Sequence, residues 1–279
     1  MVHNVKDINH AQFADDTLLL GGASINSARS FKKELDIYKE ASGSKINYSK
    51  STIYGWNCSA KNLADIARLL EMKICQDWES FKYLGIPIFR SIPKVSHWIP
   101  LLDKLKLRRH AWGASWLNTA GKIILIKSVL TSMPLFQHSI LLAPKTFLSK
   151  MDGMLRRFLW EGGENNERSL HLVNWDTIKR PFIEGGLQMR DLATQNLALG
   201  SKILWNIVAG KISWSKKVLW KKYFQGQRLR CLDLPQKISK GSPVSKLCIA
   251  ALDNFSSNLY WIPGNGKKIR IWKDQILGG

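Results

Sequence analysis

Apolar and polar positions follow two regimes along this chain. Before about Trp98 the apolar runs are short and broken, and after it they recur at helical spacing. Residues 11–14 and 17–20 read as short strands on either side of Asp15-Asp16, with Gly21-Gly22 behind them. A helix follows, with Ser24 or Ser27 as its N-cap and Ala28, Phe31, Leu35 and Tyr38 on one face. Gly43 suits its C-terminal cap. Residues 45–54 alternate well enough for a strand. Residues 59–70 predict a second helix that brings Leu63, Ile66 and Leu70 together. Residues 81–89 form a short apolar segment broken by Gly85 and Pro87.

In the later regime Pro100 suits the first turn of a helix. Leu101, Leu105, Trp112 and Trp116 share one face of it, while Lys104, Lys106, Arg108 and Arg109 lie elsewhere. Residues 119–132 are apolar nearly all round, through Ile123, Ile124, Leu125, Ile126, Val129 and Leu130. That pattern predicts a buried helix, ended by Met133-Pro134. Residues 145–160 predict another, with Phe147, Met151, Met154, Leu155 and Phe158 inward and Arg156-Arg157 near its end. Residues 162–166 read as a loop, and 192–208 and 215–224 as further helices. Residues 226–243 are polar, basic and broken by Pro235, Gly241 and Pro243, as a linker is. The twelve tryptophans, at helical spacing, read as core before base-stacking platforms.

Length and composition bound the answer. With 279 residues and 45% apolar content, one large domain or two small ones can bury a real core. The longest apolar candidate, 123–130, is interrupted by Lys127 and falls short of the ~18 residues a membrane span needs. Residues 1–10 carry no apolar signal region. An intracellular protein, nuclear or cytoplasmic, is expected, with no membrane partner and no small-molecule cofactor. Cys58, Cys75, Cys231 and Cys248 form no C-x-x-C pair and no zinc spacing, so isolated buried thiols are expected.

Charge changes the picture most. The formal net charge is +21, from 42 basic and 21 acidic side chains. Residues 1–57 hold seven basic and six acidic groups, whereas 97–160 hold ten and two, and 211–246 hold ten and one. A clustered excess fits a surface that tracks phosphates, so RNA and DNA are the expected partners. A solvated basic face is the alternative. Lys104, Lys106, Arg108, Arg109, Arg156 and Arg157 are the candidate contacts.

The sharpest local feature is Phe13-Ala14-Asp15-Asp16. Neighbours in a regular strand point to opposite faces, but at a hairpin tip both carboxylates can approach one point. There they can hold Mg²⁺, a hard cation that prefers oxygen ligands, and support two-metal phosphoryl transfer. A solvated turn is the default alternative.

Residues 11–18 resemble the F/Y-A-D-D motif of reverse-transcriptase palms in the form used by plant LINE-type (non-LTR) retrotransposons. Residues 42–51, Tyr83-Leu84-Gly85-Ile86-Pro87, residues 125–130, residues 158–162, Gly185-Gly186-Leu187 and residues 264–267 with 271–274 are similar to later segments of the same family, in order. The resemblance implies that Asp15 and Asp16 are catalytic and bind Mg²⁺. It also implies that Lys50, with Lys45 as the fallback, protonates or stabilises the leaving pyrophosphate. Gln188 stands where the family has glycine, and Gln275 where it has tryptophan.

The family's other metal-binding aspartate and its nucleotide-positioning segment precede the two-Asp motif, and only twelve residues precede Phe13 here. The resemblance therefore implies an α+β fold, a partial reverse-transcriptase palm followed by a mostly α-helical thumb and extension. Its expected divisions are residues 1–96 for the end of the palm, 97–225 for the helical thumb and connection, and 226–279 for a basic linker and truncated extension. The implied function is a fragment of an RNA-directed DNA polymerase, inactive alone, with the missing upstream half as a partner. The alternatives are a non-enzymatic basic nucleic-acid-binding module and a decayed reading frame.

Overall fold

The computed structural model describes residues 9–111, 117–160, 172–209, 213–224, 241–260, 262, 264–265 and 276. The chain divides into two compact units, Lys6–Ile92 and Pro93–Gly279. The readings made for Trp112, Trp116, the 162–166 loop, Cys231, most of the 226–243 linker, Gly266, Lys267 and residues 271–275 lie outside the described residues.

The first unit starts with a hairpin of β1 (His10–Phe13) and β2 (Asp16–Leu19), paired antiparallel from His10 with Leu19 to Phe13 with Asp16. Helix α1 (Ile25–Ser42) begins at Ser24, whose hydroxyl accepts the Ser27 N–H at 3.2 Å, and ends at Gly43, left-handed at φ 65°. Strands β3 (Thr52–Tyr54) and β4 (Lys73–Cys75) pair in parallel. The crossover between them is α2 (Ala60–Leu70), capped by Ser59. Ala28 of α1 packs on Ile66 and Leu70 of α2, with Ile25, Ile53, Leu69 and Met72 around them. A second hairpin joins β5 (Ser80–Tyr83) to β6 (Ile86–Phe89) through Leu84 and Gly85. Both loop residues have positive φ, the geometry that matches the right-handed twist of the strands.

The predicted strand over 45–54 is corrected: only its last three residues are extended. The Asn47 side chain accepts from the Lys50 N–H at 3.1 Å and the Ser49 hydroxyl at 2.7 Å. Local side-chain bonds of this kind fold the backbone into a turn and compete with a strand ladder.

The second unit is helical. A 3-10 turn, Val95–Trp98, leads into α3 (Ile99–Ala111). Next come α4 (Thr119–Leu125), extended by a π turn over Ile126–Leu130, the single turn α5 (Leu135–His138) and the long α6 (Lys145–Trp160). Helix α7 (Trp175–Lys179), α8 (Leu192–Val208), α9 (Trp214–Leu219) with its π turn Trp220–Phe224, α10 (Pro243–Ala250) and α11 (Leu252–Ser257) follow. Phe147, Met151, Leu155 and Phe158 of α6 are buried, as their spacing predicts, and the Trp98 ring lies 4.7 Å from the Phe147 ring. Leu204 of α8 packs with Cys248, Ala251, Leu252 and Phe255. Burial pushes the Cys248 thiol up to about 12, so it is an inert apolar side chain. Cys58 and Cys75 are only partly buried, against the expectation of buried thiols.

The all-round buried helix over 119–132 is also corrected. Its buried positions are Lys122, Ile126 and Leu130, one stripe at four-residue spacing, with Thr131 beside it, while Ile124 is 64% exposed. A stripe of that spacing faces one side of a helix, so the apolar residues between are left outside it.

Candidate nucleic-acid interface

Asp15 lies in the β1–β2 loop, behind an Ala14 held at φ 52°, and Asp16 opens β2. Both are exposed, and so is Lys50 on the Asn47 turn. Among the described residues no ion pair joins either aspartate to a cation, and no three His, Cys, Asp or Glu side chains gather as a metal cage would require. Mg²⁺ is held by one or two carboxylates together with waters and substrate phosphates, so Asp15 and Asp16 would supply at most the protein's share of such a shell. No third acidic side chain joins them among the described residues, and no catalytic step is derived through the metal.

The cations of the helical unit are better placed. Among the described side chains of α3, Leu101, Leu102 and Leu105 are buried. Lys104 and Arg108, one helical turn apart, are exposed on a shared face. Lys106 is exposed and lies 3.0 Å from Asp103, but both side chains are more than half exposed, so this pair holds Lys106 only weakly. Arg109 differs. It continues the stripe of Leu101 and Leu105 at four-residue spacing, is half-buried, and lines a small cavity with Leu105, Leu130, Met151, Met154 and Leu155. Its stem is packing material, which grouping it with Arg108 on charge alone overlooked.

On α6 both Arg156 and Arg157 are exposed near the C-terminal end, where the helix dipole favours cations. The Arg157 Nε donates to the Gly153 carbonyl at 3.3 Å, which leaves the rest of the guanidinium outward. Of the second basic stretch, Lys217 and Lys222 are described and exposed.

Sequence reasoning missed two further features of the helical unit. One is an open groove of about 420 Å³, where Lys202 and a half-exposed Trp205 stand beside Asn254 and Asn258. The other is the turn Phe182–Glu184, whose Phe182 ring lies 4.8 Å from the Lys127 ammonium. The Pro181 and Gly185-Gly186 that bound this turn were its visible signal.

The chain is 36% identical over 179 residues to a protein of Arabidopsis thaliana named "Putative ribonuclease H protein". The match takes in 64% of this chain and 29% of the relative's length. No family model matches. The relative's name points to a ribonuclease H type of protein, and this corrects the reading of the chain as a LINE-type reverse transcriptase. The motifs behind that reading are short, and two of them coincide with hairpin loops, Ala14-Asp15 and Leu84-Gly85. Among the described residues no helix is long and apolar enough to cross a membrane.

Proposed function

We propose that this chain is a nucleic-acid-binding module of a retroelement-derived protein of the ribonuclease H-named kind, and that it grips an RNA–DNA hybrid by its phosphates. The observation that carries the reading is the outward set Lys104, Arg108, Arg156 and Arg157 on α3 and α6, within a stretch of ten basic and two acidic side chains. The relative's name supports the choice of a hybrid as the polyanion. Phosphate contacts fix position without reading sequence, so affinity should be nearly independent of base order. Magnesium-dependent hydrolysis is not part of the proposal, because the described carboxylates do not assemble for it.

Fluorescence anisotropy on a labelled hybrid, at several salt concentrations, tests the reading. With ~4 to 6 phosphates neutralised, affinity should fall by roughly two to three decades between 50 and 200 mM salt. Lys104→Ala with Arg108→Ala should weaken binding on all sequences alike and make the salt slope shallower. An affinity that is flat with salt would leave these residues as a solvated face.

A further inference from the structure

The turn after α7 displays apolar side chains in a way no other described segment does. Ile183 is 100% exposed and Phe182 is 62% exposed. The turn beneath them is firmly tied. The N–H groups of Glu184 and Gly186 both donate to the Pro181 carbonyl at 3.0 Å, and the Gly185 N–H donates to the Phe182 carbonyl at 3.0 Å. Behind it, the Gln188 N–H reaches the Arg180 carbonyl at 2.8 Å, and the Leu187 and Met189 N–H groups share the Ile178 carbonyl. Gly185 sits at φ 76°. A Cβ on Gly186 would come 2.1 Å from the Arg180 carbonyl oxygen, so the return strand approaches too closely for any side chain there. A braced turn with a bare isoleucine at its tip is a protrusion, not part of a broad apolar face.

Its surroundings are cationic. The Lys127 ammonium lies over the Phe182 ring at 4.8 Å, and Arg180 and Arg190 are exposed on the segments that enter and leave the turn. Lys179 is excluded from this set, because Asp152 and Asp191 hold it at 2.7 and 2.9 Å. Glu184 is the exposed carboxylate within the turn itself. Apolar wedges of Phe, Ile or Pro flanked by Lys and Arg enter base steps by partly unstacking them, while the cations meet the adjacent phosphates.

We propose that Phe182 and Ile183 form such a wedge, inserted between stacked bases of a bound RNA–DNA duplex, with Lys127, Arg180 and Arg190 at the flanking phosphates. The inference rests on the nucleic-acid-binding reading above and adds a deformation of the ligand to it. The wedge unstacks, so bound duplex is kinked or opened at one step, a consequence that phosphate tracking by α3 and α6 does not have.

The full chain is titrated into a hybrid whose DNA strand carries 2-aminopurine, a base that fluoresces when unstacked, with anisotropy followed on a second label. The parent should raise 2-aminopurine emission at least threefold at saturation. Ile183→Ala should abolish most of that rise while still binding, with affinity lowered about tenfold. Ile183→Leu should keep the rise, and Glu184→Gln should tighten binding. Ile183 touches no core, so these variants fold as the parent does. Binding without any 2-aminopurine response, or a response unchanged in Ile183→Ala, overturns the wedge and leaves the phosphate grip standing. Absence of hybrid binding by the parent overturns the functional reading itself. A dimer that Ile183→Ala converts to a monomer, with 2-aminopurine silent, shows that the tip docks a second copy and overturns the wedge.

Discussion

Asn196 of α8 donates from its side-chain amide to the main-chain carbonyl of His138, 58 positions earlier in the chain, at 2.7 Å. The same amide nitrogen donates to the Leu141 carbonyl at 3.0 Å, and the Asn196 carbonyl oxygen accepts the Ala143 N–H at 2.9 Å. One buried side chain thus satisfies three main-chain groups over residues 138–143, from the end of α5 toward α6. Asn196→Ala should cost about 3 kcal/mol or more, since it leaves buried donors and acceptors without partners. Asn196→Leu should cost no less, because shape cannot replace those bonds. Urea denaturation of the two variants checks this, and a loss under about 1 kcal/mol would show that water takes over the vacated positions.

His138 is itself fully buried against the Trp98 and Phe147 rings, and neither ring nitrogen has a hydrogen-bond partner among the described residues. Burial lowers its pKa from an ordinary 6.5 to about 4. The unfolded chain therefore binds a proton that the folded chain refuses between those two values. Stability should be intact above about pH 6.5 and fall as the pH drops toward about 4, by about 3 kcal/mol in total. Below that range both states are protonated and this contribution levels off. His138→Phe should flatten the slope between pH 6.5 and 5, a range above most carboxylate titrations. An unchanged slope in that variant would assign the pH dependence to other groups.

Gly200 marks the contact of α8 with α10 and α11. A Cβ there would lie 2.8 Å from the Ala251 Cβ and 3.0 Å from the Leu247 carbonyl oxygen. Alanine is favoured over glycine inside a helix by about 1 kcal/mol. Two helix backbones would have to separate to admit it, at about 1–3 kcal/mol. Gly200→Ala should therefore lower stability by up to about 2 kcal/mol, and a melting temperature above the parent's would mean that the contact opens freely.

Much of the helical framework could be read from spacing. Residues 145–160 and 192–208 are legible because Pro144 and Asp191 mark where each helix begins; Phe147, Met151 and Phe158 give the first a plain inward stripe, whereas the inward positions of the second include Asn196 and Gly200. The 45–54 strand failed because Asn47 bonds its own neighbours, which alternation does not report. The turn Phe182–Glu184 was invisible as a display surface, since nothing local distinguishes an exposed isoleucine from a buried one; its position follows from hydrogen bonds to Ile178, Arg180 and Pro181. The two-Asp motif was legible as a hairpin tip, but the gathering of further ligands around it depends on segments far apart in the chain.

Adjacent arginines on α3 should behave in opposite ways. Arg108 points outward, and Arg108→Ala should change stability by under about 0.5 kcal/mol, as exposed substitutions do. Arg109 lies four positions past Leu105, and its half-buried side chain lines a cavity with Met151, Met154 and Leu155 of α6. Arg109→Ala should enlarge that cavity and cost about 1–2 kcal/mol. Arg109→Met keeps the stem without the charge and should recover most of the loss. Hybrid binding should show the reverse order, with Arg108→Ala weaker than Arg109→Met. Equal losses of stability in the two alanine variants would mean that both arginines are solvated, and the α3–α6 packing would then owe nothing to Arg109.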